Sequence, residues 1–263
     1  MNERDLKKRW RGLQYEAGRL PHCLIYSKWY WSLPHDLRRF LYMGLFPGSS
    51  WGIRKLRSVE PENLNAPTLK PFFDTRSIFV HIPKCAGLSI TFGLYGRKTG
   101  DHRTIADYKL AFSKSEFKSF FKFAFVRNPW DRLLSAYFYM KQGGRNKQDY
   151  DWSIRYLSPY DNFDEFVLKW VNEDNIRLGL HFRPQFEFVC TKNHELEVDF
   201  IGYFENIEND YEHICNVIAI GSRLQAINKS AGKKDYRDYY NEETKSIVEH
   251  VYRADIKLFG YAF

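Results

Sequence analysis

The chain has 263 residues, of which 44% are hydrophobic and 27% charged, with 16 glycines and 10 prolines. This composition excludes disordered, collagen-like and low-complexity proteins and is typical of a globular protein with a sizeable core. The net charge is +8, and residues 1–60 hold 12 Lys or Arg against 5 Asp or Glu. The basic surplus therefore belongs almost entirely to the first 60 residues.

These first 60 residues predict a basic amphipathic helix. Leu6, Trp10, Leu13, Ala17 and Leu20 follow one another at spacings of three and four, so they share one side of a helix that holds few of the cations. We expect this face to pack on the main domain or on a second subunit, with contact to an anionic surface or an acidic glycan as the alternative. A nucleic-acid partner is not expected.

The sequence predicts neither a signal peptide nor a transmembrane segment. Its longest largely apolar run, residues 40–46, is far shorter than the roughly 18 to 20 residues that cross a bilayer. Four widely spaced cysteines without a Cys-x-x-Cys pair indicate neither a zinc site nor a dense disulfide framework. We therefore expect a cytoplasmic protein, with peripheral membrane association as a variant. The Golgi lumen would apply only if the chain is a trimmed form.

Residues 47–74 are rich in Pro, Gly and Asn and predict a linker. This divides the chain into a basic N-terminal extension with its linker, 1–75, and a core domain, 76–263. In the core domain, strands are predicted over 77–81, 122–126 and 198–204, and helices over 88–94, 130–140, 163–171, 211–220 and 242–258. The alternation predicts an α/β fold, with a mainly parallel sheet flanked by helices and ligands at the carboxyl ends of the strands.

A loop suited to anions follows the first predicted strand. It reads His-Ile-Pro-Lys-Cys-Ala-Gly-Leu-Ser over residues 81–89 and leads directly into a helix. Backbone N–H groups at a helix start concentrate positive charge, Gly87 permits close approach, Lys84 adds a mobile cation and Ser89 a hydroxyl. The nucleotide-triphosphatase loop differs, because there the lysine follows the glycine. The alternative is an ordinary strand-to-helix turn.

The second predicted strand also runs into a helix, with the sequence Phe-Val-Arg-Asn-Pro-Trp-Asp-Arg-Leu-Leu-Ser-Ala-Tyr over residues 125–137. Pro129 suits the first helical position and Asp131 the positive end of the helix. Arg127 stands at the end of the strand, where its guanidinium can bind a phosphate through two N–H groups, and Ser135 can add a hydrogen bond. Arg132 is expected to be a solvated surface charge.

Together these two segments resemble the two signatures of sulfotransferases that use 3'-phosphoadenosine 5'-phosphosulfate, in the branch of carbohydrate O-sulfotransferases that includes heparan and dermatan 2-O-sulfotransferases. The first resembles the family's His-Ile-Pro-Lys-Thr-Ala-Gly-Thr-Ser loop, and the second its Val-Arg-Asn-Pro-Trp-Asp-Arg-Leu-x-Ser segment. The likeness continues through residues 198–206, 235–237 and 259–261, so that it covers roughly 76–263. The basic first third lies outside it.

The resemblance implies a P-loop-like sulfotransferase fold and an enzyme that moves a sulfuryl group to a hydroxyl acceptor. The likeness to the carbohydrate branch implies that this acceptor is a carbohydrate. It places Lys84 at the bridging and leaving oxygens as a catalytic residue, and Arg127 and Ser135 on the 3'-phosphate of the donor. No metal is required, since a sulfuryl group carries less charge than a terminal phosphoryl group. The residues expected to bind the donor are Pro83, Lys84, Cys85, Ala86, Gly87, Leu88, Ser89, Arg127, Ser135 and Arg237.

Two positions depart from the family pattern. Cys85 and Leu88 stand where the family usually has threonine, which removes two hydroxyl donors from the loop. A thiolate at Cys85, favoured by Lys84 and the helix start, is the less favoured interpretation of that residue. We expect backbone amides, Lys84 and Ser89 to hold the phosphosulfate.

The acceptor must lose a proton, which calls for a side chain whose pKa lies near neutrality. His102 lies where related carbohydrate sulfotransferases tend to carry a histidine, and His181 is the alternative base, while His81 is expected to pack or shape the loop. Two other functions stay open: a P-loop-type nucleotide kinase, and a non-catalytic protein that binds acidic glycans through residues 1–60.

Overall fold

The computed structural model describes residues 28–45, 55–191, 195–224 and 235–263. The amphipathic helix predicted between Leu6 and Leu20 lies outside the described residues. The described strands are β1 (Ser77–Val80), β2 (Phe121–Val126) and β3 (Phe200–Tyr203). The described α-helices are α1 (Lys28–Ser32), α2 (His35–Leu45), α3 (Lys70–Thr75), α4 (Gly87–Tyr95), α5 (Ile105–Ala111), α6 (Lys114–Ser119), α7 (Pro129–Lys141), α8 (Lys147–Tyr156), α9 (Phe163–Trp170), α10 (Phe186–Val189), α11 (Ile207–Val217), α12 (Glu242–Val251) and α13 (Arg253–Phe259).

A parallel sheet in the order β1-β2-β3 lies at the centre of the fold. The register pairs run from Ser77–Phe121 to Val80–Ala124 and from Phe123–Phe200 to Val126–Tyr203. All of β1 and nearly all of β2 are buried, as expected for apolar strands covered on both faces. The predicted α/β class with a parallel sheet is confirmed.

The structure contains the predicted strands and helices with slightly different end residues, and one predicted helix is split in two. The helix predicted over 242–258 is two helices, because the chain leaves helical geometry at Tyr252. This tyrosine is buried and donates its hydroxyl to the carbonyl oxygen of Phe182, so the break anchors the C-terminal helices to a distant segment.

Two apolar clusters fill the interior. One surrounds the sheet, and the other lies between α7, α9 and α12, where aromatic rings such as Phe166, Trp170 and Phe182 pack together. The high aromatic content therefore fills cores. The second cluster buries one side of α7 and so fixes the position of that helix.

Residues before the sheet pack on the same core. Tyr30, Tyr42 and Phe72 are buried in the cluster around the sheet, and the Thr68 hydroxyl donates to the carbonyl oxygens of Leu56 and Val59. The end of the predicted linker is helix α3. The division of the chain at residue 75 stays a prediction, and the described residues before it contact the core domain directly.

No described helix has both the length and the apolar character needed to cross a membrane. The described residues also contain no cluster of His, Cys, Asp and Glu that could hold a metal ion.

Candidate active site

The carboxyl ends of the three strands bring together segments that are far apart in the sequence. The loop 81–86 follows β1, Arg127 follows β2, and Phe204 follows β3. Since parallel strands end at one edge of the sheet, both predicted signatures meet there.

The loop after β1 turns sharply before α4. Lys84 (φ 71°) and Ala86 (φ 58°) both adopt left-handed backbone conformations, and α4 begins at Gly87. A Cβ atom at Gly87 would lie 1.8 Å from Nε2 of His81, so only glycine lets the buried His81 ring pack beneath the helix start. Alternating backbone conformations of this kind aim N–H groups into a common concavity, which is suited to an anion.

Arg132 holds this loop through a buried hydrogen bond to its backbone. Its side chain is 1% exposed, and its Nε donates to the carbonyl oxygen of Pro83 (3.0 Å) while Nη2 donates to that of Arg183 (2.9 Å). The expectation of a solvated surface charge at Arg132 is wrong. Its partners belong to two distant loops, and the local sequence pattern contains no sign of them.

Arg127 is also buried, and it connects the loop to α7. Its Nη1 donates to the Lys84 carbonyl oxygen (3.1 Å), and Nε and Nη2 each lie 2.7 Å from Oδ2 of Asp131. The guanidinium also lies 4.1 Å from the centre of the Phe204 ring. These bonds use three of the five N–H groups of a guanidinium, which leaves donors for a phosphate.

The start of α7 forms as its sequence predicts. Pro129 is the first helical residue, the Asn128 side chain accepts from the Trp130 N–H, and Asp131 lies in the first turn. These residues satisfy or complement the exposed donors of the helix start.

One face of α7 looks toward the loop. Asp131, Ser135 and Tyr139 are four residues apart, so they share this face. Asp131 contacts Arg127, and the Tyr139 ring lies 4.1 Å below the Lys84 ammonium. Ser135, the predicted phosphate contact, therefore lies between two residues that each contact a cation of the site.

Three histidines cluster beside Lys84. The rings of His81 and His102 are 4.1 Å apart and those of His102 and His181 are 6.0 Å apart, while His181 lies 4.8 Å from Tyr139. The structure thus brings both predicted bases, His102 and His181, into one cluster. Burial, followed by the charge of His102, holds the pKa of His81 well below its usual range, so this ring is a neutral packing element.

Asp149 on α8 joins the cluster and was not predicted. Its Oδ1 lies 3.4 Å from Nε2 of His181, and its Oδ2 accepts from the Tyr139 hydroxyl (2.8 Å). Although burial alone raises the pKa of Asp149, these two partners lower it to about 2. The local sequence accounts only for the position of Asp149 in the first turn of α8, where its side chain also accepts from Arg145 and Asn146, and it gives no sign of the contacts with Tyr139 and His181.

Gln185 and Asp255 form a buried polar scaffold under the site, which sequence reasoning also missed. The Gln185 side chain accepts from the Arg127 N–H (2.9 Å) and donates to the Arg127 carbonyl oxygen (2.8 Å). Asp255 accepts from the backbone N–H groups of Gln185 and Phe186, both at 2.8 Å. A chain of hydrogen bonds therefore runs from α13 to the end of β2.

Cys85 belongs to this scaffold. Its thiol is 1% exposed and lies 3.3 Å from the Gln185 side-chain oxygen. Burial raises the pKa of Cys85 to about 12, so the thiolate considered from the sequence is not present at neutral pH.

Arg237 stands apart from the buried cations. It is exposed on the short 3-10 helix Tyr236–Tyr239, pairs with Asp235, and its guanidinium lies 4.5 Å from the Tyr236 ring. The Phe263 ring connects this segment to the first turn of α7 by packing 5.4 Å from Trp130.

The arrangement fits the doubly phosphorylated donor that the sequence implies. Six buried side-chain polar atoms have no hydrogen-bond partner among the described residues, and they include Nδ1 of His181 and the hydroxyl of Tyr236. The charge of Lys84 acts on His181, and the charge of Asp131 acts on Tyr236. The Tyr236 hydroxyl can donate to an anionic group of the donor, while Nδ1 of His181, whose Nε2 faces Asp149, can accept from a hydroxyl group.

Comparison with known proteins identifies the family of this chain. The model of the sulfotransferase family matches residues 74–262. Carbohydrate sulfotransferase 14 of Danio rerio is 27% identical over 188 residues, which cover 61% of this chain and 50% of that protein. Carbohydrate sulfotransferase 11 of Rattus norvegicus is 22% identical over 271 residues, covering 87% and 76%. An uncharacterized protein of Archaeoglobus fulgidus is 31% identical over 125 residues, covering 47% and 88%.

The chain spans about half the length of the carbohydrate sulfotransferase 14 relatives. No solved structure matches it significantly.

Proposed function

Since the chain belongs to the sulfotransferase family, we propose that it transfers a sulfuryl group from 3'-phosphoadenosine 5'-phosphosulfate to a hydroxyl group of a carbohydrate. Two relatives named as carbohydrate sulfotransferases support the acceptor class. The donor and the in-line displacement come from the resemblance of the two signatures.

One observation carries the proposal: the two signatures share a single site. The Lys84 carbonyl oxygen accepts from Arg127 Nη1 at 3.1 Å, so the loop after β1 and the end of β2 touch each other. A donor with a 5'-phosphosulfate and a 3'-phosphate needs two anion sites a nucleotide apart. The loop 83–89 supplies one of them, and Arg127 after β2 together with Ser135 on α7 supplies the other.

Each residue then has a distinct task. Lys84 neutralises charge on the leaving oxygen, and the backbone N–H groups from residue 85 to Ser89 hold the phosphosulfate end. Arg127 and Ser135 bind the 3'-phosphate, with Arg237 reaching it from the surface. When bound, the donor supplies an activated sulfuryl group, and the protein aligns it with the acceptor without a metal.

The departures at Cys85 and Leu88 leave this arrangement intact. Cys85 points into the Gln185 scaffold, so its replacement of threonine removes a hydroxyl from beneath the loop. Backbone donors do not depend on side-chain type, and they stay available to the anion. We expect weaker donor binding than in a loop with both threonines, with the same chemistry.

The test is transfer of labelled sulfate from the donor to a panel of saccharides, lipids and small alcohols. Parent protein should label a saccharide, and Lys84→Ala should abolish labelling while the fold persists. Lys147→Ala removes an exposed surface cation and is the matched control. Full activity in Lys84→Ala would remove that residue from the mechanism, and absence of transfer to every acceptor would refute the proposal.

Ligand stabilisation separates the alternatives. We expect adenosine 3',5'-bisphosphate to raise the unfolding temperature without metal, because a ligand that binds only the folded state stabilises it. Stabilisation by ATP with Mg²⁺ instead would favour a kinase. Glycan binding that disappears on deletion of residues 1–20, a deletion that keeps the buried Tyr30 and Tyr42, would favour a binding module if the protein binds neither nucleotide.

We further propose that the basic surplus of residues 1–60 attracts an anionic partner, an acidic glycan or a phospholipid surface. Partition onto anionic but not neutral vesicles would identify the surface, and retention on immobilised heparin alone would identify the glycan. The cytoplasmic location stays a prediction that the comparisons do not support.

A further inference from the structure

We propose that His181 is the general base that accepts the proton of the acceptor hydroxyl, and that Asp149 is the positioning residue that holds its ring. This inference rests on the proposed function, because it concerns the proton that the acceptor releases during sulfuryl transfer. The sequence favours His102 as the base, and the structure leads us to assign His181 instead.

The contact with Asp149 decides which nitrogen of His181 is the base. A carboxylate can only accept, so Nε2, which lies 3.4 Å from Oδ1, carries the hydrogen. The lone pair then lies on Nδ1. This atom is buried and has no hydrogen-bond partner among the described residues, so its capacity to accept a proton is unspent.

The same carboxylate connects His181 to the catalytic lysine. Asp149 accepts from the Tyr139 hydroxyl at 2.8 Å, and the Tyr139 ring supports the Lys84 ammonium at 4.1 Å. The distance between the Tyr139 and His181 rings is 4.8 Å. Asp149 thus orients both the proposed base, His181, and the Tyr139 ring, which lies under the Lys84 ammonium.

His102 is oriented by a backbone carbonyl group. Its Nδ1 lies 3.1 Å from the carbonyl oxygen of His81, a contact that fixes the ring. Its ring packs against that of His81, which is buried and neutral. We infer that His102 packs between the loop and His181 and shapes the acceptor side of the cluster.

The charges around His181 favour a neutral imidazole in the resting protein. Burial lowers its pKa, Asp149 opposes this effect, and the cations Lys84 and Arg132 add to it. The rings of Tyr139 and His102 face it, and His81 also interacts with it electrostatically. An imidazole that is neutral at rest, with a carboxylate ready to stabilise its charged form, is what a general base requires.

During transfer, the acceptor O–H bond breaks and its proton goes to Nδ1 of His181, while the acceptor oxygen forms the new bond to sulfur. The bond between sulfur and the donor's phosphate oxygen breaks, and its electron pair stays on that oxygen, next to Lys84. The products are a sulfate ester and adenosine 3',5'-bisphosphate, and His181 later releases the proton to water.

Three variants test this assignment in the labelled transfer assay, with chemically desulfated heparan and dermatan sulfate as acceptors. His181→Gln should lower kcat by about 10²- to 10⁴-fold, the usual contribution of general base catalysis, with an unchanged KM for the donor. His102→Gln should lower kcat far less. His250→Gln changes an exposed histidine on α12 and is the control for the substitution itself.

Asp149→Asn supplies a readout that a merely structural role would not move. The amide in this variant lacks the negative charge that raises the pKa of His181, so the acid limb of the kcat profile should move to lower pH while kcat falls. Binding of adenosine 3',5'-bisphosphate should stay the same in Asp149→Asn and in His181→Gln.

The outcomes separate this inference from the proposed function. A parent protein that labels neither polysaccharide nor any acceptor of the wider panel refutes the function itself. A parent that transfers sulfate, with His181→Gln within about threefold of it, or with the large loss in His102→Gln, overturns the assignment of the base. If His181→Gln fails to fold, an unmoved acid limb in Asp149→Asn overturns it instead.

Discussion

Replacing Asp255 by alanine should destabilise the protein through two specific hydrogen bonds. The carboxylate is completely buried and accepts one backbone N–H on each oxygen, from Gln185 and Phe186, both at 2.8 Å. Leaving a buried donor unsatisfied costs about 1–3 kcal/mol, so two orphaned N–H groups predict a loss of about 2–6 kcal/mol. The lower part of this range applies if water enters the space of the lost carboxyl group.

The loss should depend on pH, in the direction opposite to that of an ion-paired carboxylate, whose pKa is lowered by folding. Burial raises the pKa of Asp255 from 3.8 to about 6, against the opposing effect of its two backbone partners. Between these values the folded state holds a proton that the unfolded state has released, so the parent loses stability as pH rises from about 4 to about 7.5. The difference in pKa corresponds to about 2 kcal/mol over this interval. Asp255→Ala lacks this titration, so its deficit relative to the parent should be larger at about pH 4 and smaller at about pH 7.5.

Urea unfolding at these two pH values measures both effects. Glu249→Ala removes an exposed carboxylate on α12, has no hydrogen bond or ion pair to lose among the described contacts, and is the matched control. An Asp255→Ala variant as stable as the control would show that the two hydrogen bonds contribute nothing to stability. A deficit of Asp255→Ala that stays the same or grows between about pH 4 and about pH 7.5 would show that the pKa of Asp255 is not raised by folding.

Three other predictions concern the site. Arg127→Ala should raise the donor concentration needed for half-maximal transfer and weaken discrimination between nucleotides with and without a 3'-phosphate. If binding titrations show that the variant discriminates as strongly as the parent, the 3'-phosphate binds elsewhere. Gly87→Ala should displace the His81 ring, since the new Cβ would lie 1.8 Å from it, at a cost of about 1–3 kcal/mol in urea unfolding. An unfolding midpoint equal to that of the parent would contradict this packing. The Cys85 thiol, whose pKa burial raises to about 12, should resist iodoacetamide at neutral pH until urea unfolds the chain. Rapid labelling of the folded protein, located by mass spectrometry, would show that the loop opens.

The sequence predicted those features that a few neighbouring residues decide. The apolar run before residue 81 predicts β1, and Pro129 with Asp131 predicts the start of α7, because capping and backbone geometry are local. The two signatures were visible for the same reason, since Lys84 and Arg127 each occur at the junction of a strand and a helix. Their meeting at one sheet edge follows from the parallel α/β pattern alone.

Contacts between distant parts of the chain leave no signal in the local sequence. Arg132 looked like a surface cation beside Asp131, yet it is buried and holds Pro83, which lies 49 residues away. The contact between Asp149 and His181 likewise joins α8 to the segment before α10, and no spacing rule connects them.

What the sequence by itself determined is therefore the class of fold and the two strand ends that carry cations, because both depend on periodicity and on short motifs. Only the tertiary structure decided which cations are buried, which histidine contacts the Asp149 carboxylate, and that Gln185 and Asp255 support the site from below. These properties depend on side chains that approach one another after the chain has folded, and burial, which sets their charge and hydrogen bonding, exists only in the folded protein.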